Sequence, residues 1–504
     1  MAKNEVKWGA LLSYLLIIVN ALYGFIVTPY ILASIGEGDF GVYKTITSLS
    51  AALMVLDLGL GGTVMRYVAK YKSENRKDKI ESFISMSLGE GGIIIGIFAV
   101  VSVVIYALLP AIYSDSLTAS QFSLAKGLFT VLAVNMGLHI VENVFNGIIT
   151  GHNKFTFANG LKLIRIALRI ALVFVIFVFV KSAYVLVLLD LFLTILLLVA
   201  ECTYSRKVLG VKVKISFKNW DNSVFKESFK YTSLIFITTI AAQINNNLDN
   251  VVIGAFKGAS PVAVYSMALL IFGMFEQLST SISGVMLPTV TNILKQEDGI
   301  NKVQKTIVSA GRIQFALLGA ALTGFVIIGK SFIRLWLGEG FGDVYYITLI
   351  LIGPAILELC VNVCLAVLRA KNMLGFRTGV LLGTTILNAV ITIVGVKHTN
   401  YYAAAVGTAL SFLIGSVIIM NIYYYKKLRF NMLKIYAGIF SKTWLCLLLS
   451  GALMFLSSRI FTEGWLSLIL NIIVFAIVFG ATMLLFGLNK EEKQMIPVIG
   501  KVLK

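Results

Sequence analysis

What this 504-residue chain has least of is charge: Asp, Glu, Lys and Arg make up 13% of it, while hydrophobic residues make up 58%. No soluble core carries that balance, so a soluble globular protein is excluded. The signatures of soluble enzymes are missing as well. There is no Gly-rich phosphate loop ending in Lys-Ser/Thr, no HExxH and no cysteine pairing at zinc spacing, and no cytoplasmic segment is large enough to fold as a nucleotide-binding domain. These absences argue against ATP-driven pumping by this chain alone, against a bound metal and against a catalytic centre. Cysteine is sparse too. Cys202, Cys360, Cys364 and Cys446 all fall in or beside apolar runs; Cys360 and Cys364 share a helix face but lack a nearby His, and read as packing residues.

What is abundant is apolar sequence. Runs of about 20 residues recur from Trp8 to Gly487, each sufficient to span roughly 30 Å of hydrocarbon. Length and charge punctuation predict an all-α integral membrane protein with about fourteen transmembrane helices, near 8–32, 42–65, 80–109, 122–149, 155–180, 183–203, 231–255, 262–291, 306–329, 344–368, 376–395, 401–424, 435–457 and 465–487. With the N-terminus cytoplasmic, the loops on that side and the two tails hold about 30 of the 43 Lys and Arg residues, against about 6 in the opposite loops. Arg66 to Lys79, Arg206 to Lys230, Lys426 to Lys434 and the tail from Lys490 are then all cytoplasmic, and an even number of spans returns the C-terminus to that side. The net charge of +19 is mostly this topology signal. The basic loops are short and separated and lack interleaved aromatics on a common face, which argues against nucleic acid as a partner. Met1 to Leu32 has a basic start, with Lys3 and Lys7, but its apolar stretch is far longer than a signal peptide's and no small-residue cleavage site follows, so it is expected to stay as the first span.

The chain also repeats itself. Gly36, followed by Val42 and Tyr43, has a counterpart in Gly258, followed by Val264 and Tyr265, at an offset of 222 residues. Asn153, Phe157 and Gly160 match Asn372, Phe376 and Gly379 at an offset of 219. Two matches at nearly one offset predict a duplicated six-span unit with parallel halves, an architecture of transporters that bind near the midplane. The expected organisation is an N-terminal six-helix bundle over 1–203, a basic cytoplasmic linker over 204–230, a C-terminal bundle over 231–425, and two further helices with a tail over 426–504.

Within this apolar chain the ionisable residues are informative. Lys162, Arg165 and Arg169 share one face of the stretch Phe155 to Val180. They fall within about 60° of one another, and Arg165 and Arg169 sit roughly 15 and 21 Å in from Phe155. Charge at that depth is expensive unless it faces a polar interior, so the row suggests a protein-lined cavity that receives an anion. By the second offset the matching residues are Leu381, Thr384 and Asn388, so the row belongs to one half only. The alternative is that the cations pair with acids on neighbouring helices and only hold the bundle together. The span 122–149 carries a polar stripe of Asn135, His139, Glu142 and Asn146, in which Glu142 pairs with Arg165 or Lys162 or takes up a proton, and His139 reads as a hydrogen-bonded packing residue. In the second half, Gln243, Asn246, Asn247 and Asn250 form a polar face with Asp249 set aside from it, and Glu358, Asn362 and Arg369 form another. Such amides suit hydroxyl-rich ligands, yet they also bond helices together in membranes. Arg312 reads as an interface residue, and Asp57 and Arg66 as lining a cytoplasmic mouth.

Gly36-Glu-Gly-Asp-Phe-Gly-Val-Tyr43, Leu56-Asp57-Leu58-Gly59-Leu60, Arg66-Tyr67, Asn153 to Gly160 and Leu335-Trp336-Leu337-Gly338 together resemble the polysaccharide transporter family, the flippases of lipid-linked oligosaccharides of O-antigen type. That family sits in the superfamily of the multidrug and toxic compound extrusion exporters and the lipid II flippases. The resemblance implies a V-shaped, MATE-like pair of six-helix bundles plus two C-terminal helices. It implies turnover of undecaprenyl-pyrophosphate-linked repeat units from the inner to the outer leaflet of the cytoplasmic membrane, by alternating access coupled to H⁺ or Na⁺, with no other cofactor. Implied partners are the lipid-linked oligosaccharide, the bilayer, and a polysaccharide polymerase with other assembly proteins. On this basis Arg165 and Arg169 are expected to contact the phosphates, with Lys162 guiding entry. Sugars are expected at Asn135, His139, Asn146, Asn246, Asn250, Asn362 and Asn388, and the coupling ion at Glu142, Asp249 or Glu358. A lipid II-type flippase is the nearest alternative. A multidrug exporter of the same fold would prefer acids in the N-terminal half, where this sequence shows a row of cations. A membrane-embedded enzyme of polysaccharide assembly is remote, because the external loops reach only about a dozen residues, as in Pro110 to Gln121.

Overall fold

The computed structural model describes residues 2–57, 59–211, 222–283, 286–461 and 464–489. Leu58, part of the expected linker (212–221) and the tail from Lys490 lie outside the described residues. Every regular element described is helical. The first half contains α1 (Ala2–Leu22), α2 (Thr28–Ile35), α3 (Glu37–Leu53), α4 (Leu60–Ser73), α5 (Lys77–Tyr113), α6 (Ala119–Gly151), α7 (Phe155–Phe179), α8 (Ala183–Lys207) and α9 (Asn222–Lys257). The remainder contains α10 (Ala259–Ser283), α11 (Met286–Ile293), α12 (Gly299–Leu337), α13 (Asp343–Cys360), α14 (Val363–Ala370), α15 (Leu374–His398), α16 (Tyr402–Ser411), α17 (Met420–Leu428), α18 (Met432–Phe440), α19 (Thr443–Ile460) and α20 (Gly464–Thr482). Among the described residues, twelve helical runs are long and apolar enough to cross a membrane. The 25-residue α7 falls outside that set because Lys162, Arg165 and Arg169 exceed the charge such a segment tolerates, and the 36-residue α9 also falls outside it.

Local chemistry explains where the chain turns. Pro29 does not break the chain: the helical run Leu11–Ile35 passes through it, with a π turn at Tyr23–Val27 just ahead of it that accommodates the proline. Thr118 and Gln121 form a reciprocal capping box at the start of α6, with bonds of 3.1 and 3.3 Å. The repeat landmarks are backbone devices. Gly36 and Gly258 both adopt φ of 84°, open to glycine and strained for other residues, and Asn153 and Asn372 take left-handed φ of 63° and 55° immediately ahead of α7 and α15. Packing repeats as well: Phe157 stacks on Tyr204 at 3.7 Å, and Phe376 stacks on Tyr423 at 4.2 Å, both members of the second pair lying 219 residues beyond those of the first.

Contacts divide the chain into one unit of Met1–Ala263 with Val396–Tyr401, and another of Val264–Gly395 with Tyr402–Lys504. The division falls one helix later than the sequence repeat places it. The cause is the close approach of α3 to the end of α9 and the turn after it: a Cβ on Gly254 would meet Thr45 at 2.6 Å, and one on Gly41 would run into the Ala259 carbonyl. In the first unit the core gathers Val64, Tyr67 and Tyr71 of α4, Phe83 and Ile84 of α5, and Ile140, Val144 and Ile148 of α6. Small residues let α4 and α6 touch backbone to backbone, since a Cβ on Gly147 would lie 2.6 Å from the Gly61 carbonyl and 2.9 Å from Val64. Gly147→Val is therefore expected to destabilise the protein by about 1–3 kcal/mol, read as a lowered thermal midpoint in detergent. At the start of this unit Lys154 Nζ donates to Glu5 Oε1 at 3.1 Å, and that bond holds the Glu5 carboxyl below its ordinary 4.5. The tie between α1 and α7 is complete above that pH and is lost as the pH falls through the lowered value.

In the second unit α12 is the spine, packed by α13, α18, α19 and α20, with Ile328, Leu447, Met454, Leu468 and Phe475 at the seam. Arg312 of α12 is buried and donates to the carbonyls of Gly438 and Ser441 at 3.2 and 2.9 Å and of Gly487 at 2.6 Å. It caps the ends of two helical segments whose terminal carbonyls have no intrahelical donor.

Candidate functional site

The row of cations on α7 turns away from the face that exposes Ile164, Leu168 and Val175. Its members do not share one fate. Arg169 is ion-paired: its Nη2 donates to Asp190 Oδ2 of α8 at 2.8 Å and its Nε lies 2.6 Å from Asp190 Oδ1. The guanidinium also donates to the Tyr23 hydroxyl at 2.6 Å and the Tyr43 hydroxyl at 3.4 Å, and it sits 4.9 Å above the Tyr23 ring. Lys44 lies in the same tier, with its ammonium over the Phe40 and Tyr43 rings at 5.3 and 5.9 Å.

Arg165, one turn closer to Phe155, has neutral partners. It donates to Thr194 Oγ1 at 3.1 Å and lies 3.4 Å from His139 Nε2. His139 Nδ1 in turn lies 2.5 Å from Glu142 Oε2. An Nδ1–H donated to Glu142 leaves Nε2 as the acceptor that faces Arg165 and Thr194. Lys162 is exposed, and its charge acts, with that of Arg165, on Glu142 and on Glu201 of α8. Asn146 donates to Glu201 Oε1 at 2.9 Å, and Asn143 donates to Asp57 Oδ2 at 3.2 Å. The first unit therefore holds two tiers: Arg169, Asp190, Tyr23, Tyr43 and Lys44 in one, and Arg165, His139, Glu142, Asn146, Thr194 and Glu201 in the other, with the exposed Lys162 at its edge. The expected surplus of cations is smaller than the α7 row suggests, because Asp57, Glu142, Asp190 and Glu201 stand in the same bundle.

Other expected residues lie elsewhere or are already engaged. Asn135 is buried in α6, with no hydrogen-bond partner for its carbonyl oxygen among the described residues. Asn250 is buried and donates to Ser48 Oγ at 2.9 Å, Asp249 is buried beside it, and Asn246 is exposed. Asn388 is buried and bonded to Thr408 at 3.2 Å and to Thr392 at 3.2 Å, bonds that join α15 to α16. Glu358 faces Arg377 at 3.5 Å, and Asn362 sits at the break between α13 and α14. Arg66 is exposed on α4. Asp190, Thr194 and Glu201 escape the sequence reading, although their spacing of four and seven residues puts them within about 40° on one face of α8. Lys44 escapes it because a lone cation near a helix end ordinarily reads as an interfacial residue.

Duplicated helical landmarks and a polar interior in an otherwise apolar bundle define a multi-pass membrane protein of transporter architecture. The solved structure of the lipid II flippase MurJ in an inward closed conformation superposes with a TM-score of 0.71, at 15% identity over 93% of this chain and 98% of that one, and has the same fold. Residues 6–294, more than half of the chain, match the family model described as polysaccharide biosynthesis protein, and the chain belongs to that family. It is 24% identical to the probable flippase AglR of Haloferax volcanii over 80% of each chain. It is 23% identical to a putative O-antigen transporter of Shigella flexneri, over 62% of this chain and 72% of that one.

Proposed function

We propose that this chain is a flippase that moves polyprenyl-pyrophosphate-linked oligosaccharides from the inner to the outer leaflet of the cytoplasmic membrane, with both termini cytoplasmic. The observation that carries this reading is Arg165, half-buried part-way along α7 and bonded to neutral groups, so that its charge is open to an incoming anion. Lys162, one turn nearer the cytoplasmic end and exposed, collects the pyrophosphate, and Arg165 grips it through two N–H groups. Arg169, committed to Asp190, positions the second tier and receives phosphate only when that pair opens. Family membership and the flippase names of the relatives support a glycan lipid as cargo.

Coupling is assigned to the Glu142–His139 pair. A proton taken up there makes His139 a donor at both nitrogens, which turns its Nε2 from an acceptor for Arg165 into a like-charged neighbour and frees the guanidinium for phosphate. The groups facing the pair are Arg165 and Lys162 of α7, Glu201 of α8 and Asp57 at the α3–α4 turn. Glu142→Gln is expected to flatten the pH dependence of flipping in proteoliposomes. An unchanged profile would remove this pair as the coupling site. A lipid II-type cargo is the second reading, favoured by the MurJ-like fold, and competition between the two lipids in the same vesicles separates them.

A further inference from the structure

A cavity of about 680 Å³ lies in the second unit, where the last turns of α12 meet the end of α19 and the beginning of α20. Ile328 and Leu468 line its apolar part, and Ser331, Ser458, Arg334 and Glu339 line its polar part. A smaller cavity of about 310 Å³ adjoins the other side of Arg334. Three cations stand at this end of the unit. Lys330 is engaged by the Tyr346 and Tyr345 rings at 4.8 and 5.4 Å, and Arg459 lies 5.2 Å over the Phe455 ring. The Arg334 guanidinium is exposed and has no hydrogen bond, ion pair or ring contact among the described residues.

We propose that this cavity binds the phosphate-bearing headgroup of a lipid, in the outer leaflet on the topology given above. Its planar guanidinium matches two phosphate oxygens. The Ser458 hydroxyl donates to the Phe455 carbonyl at 2.8 Å, so what its oxygen offers the cavity is an acceptor, as does the Glu339 carboxylate. An acceptor set beside one guanidinium fits a headgroup that carries phosphate and also hydroxyl or ammonium donors. Leu335 and Phe461 also line the cavity, and Phe461 is exposed, which gives the attached chain an apolar path. The cavity's size is within the range of small-molecule sites. This site is independent of the transport assignment, and two lipids share the required chemistry: a bulk phospholipid and the pyrophosphate-linked glycan after flipping.

The test is native mass spectrometry of the full chain in mild detergent with added phosphatidylethanolamine, phosphatidylglycerol, phosphate-free diacylglycerol or a short-chain polyprenyl pyrophosphate sugar. Phosphate-bearing lipids are expected to be retained and diacylglycerol is not. Arg334→Gln should weaken retention on the order of tenfold, the loss of one charged hydrogen-bonded contact. Ser331→Trp, which fills the cavity and leaves the charge in place, should do the same. Preferential retention of the phospholipids identifies bulk lipid as the occupant, and preferential retention of the polyprenyl species identifies the product. Equal retention of diacylglycerol, or wild-type retention by both variants with unaltered elution and thermal midpoint, overturns the proposal.

Discussion

Arg169→Ala is expected to cost roughly 3–5 kcal/mol of stability, while Arg165→Ala is expected to be the more damaging to flipping at a far smaller structural cost. The difference follows from their partners. Without Arg169 the Asp190 carboxylate is left inside the bundle with no counter-charge, and breaking one side of such a pair carries about that penalty. Arg165 leaves behind only a threonine hydroxyl and an imidazole, each able to find water or another neighbour, so its loss should cost about 1 kcal/mol. In function the order reverses. Removing the phosphate contacts of Arg165 should reduce turnover roughly 10- to 100-fold, the equivalent of one or two charged hydrogen bonds. Exchanging the pair as Arg169→Asp with Asp190→Arg should recover much of the thermal stability that either single change loses. Thermal unfolding of these variants in detergent reads this directly. An Arg169→Ala protein as stable as wild type would mean that the pair is not formed in the membrane.

The second large effect is expected at Arg312. Its guanidinium satisfies three carbonyls from Gly438, Ser441 and Gly487, at the places where α18 ends and the last helical segment stops. Arg312→Ala removes this donor from the Gly438 and Gly487 carbonyls, leaves Ser441 with its bond from the Thr443 N–H, and empties the side chain's volume at once. The expected loss is about 3–5 kcal/mol, the upper range for a single substitution. Arg312→Lys keeps the charge but cannot reach three carbonyls from one point, and should recover only part of it. Limited proteolysis near residues 430–442 should accelerate in Arg312→Ala and return toward wild type in Arg312→Lys. Unchanged protection in both would show that the C-terminal helices dock without this residue.

Most of the architecture is legible in the sequence because bilayer thickness and charge punctuation act on each helix separately. The repeat is legible for a different reason. Gly36 and Gly258, and Asn153 and Asn372, occupy positive-φ turns where few residue types fit, so the chain marks the same turn twice. The unit boundary is not legible, because it depends on backbone contact between α3 and the start of α10, through Gly41 and Ala259, which no local pattern announces.

At the candidate site, the helical spacing of Lys162, Arg165 and Arg169 identifies the polar face of α7. It does not reveal that the middle and last residues meet opposite environments. That distinction comes from α8, whose acids lie eleven positions apart in a very apolar stretch, so Asp190 and Glu201 look isolated until the helix is wound. Asn388 shows the same limit from the other side. An amide matched by the repeat to Arg169 reads equally well as a ligand or as a helix tie, and only the folded chain reveals its threonine partners on α15 and α16.

The central claim is that the cargo's diphosphate is recognised by Arg165 together with Lys162. It is tested most directly by comparing two glycolipids in proteoliposomes, one pyrophosphate-linked and one carrying the same sugars on a neutral polyprenol, and measuring their outer-leaflet exposure. Wild type should move the charged lipid in strong preference, and Lys162→Ala with Arg165→Ala should lose that preference while remaining inserted and folded. Undiminished, selective transport of the pyrophosphate-linked lipid by the double variant would contradict it.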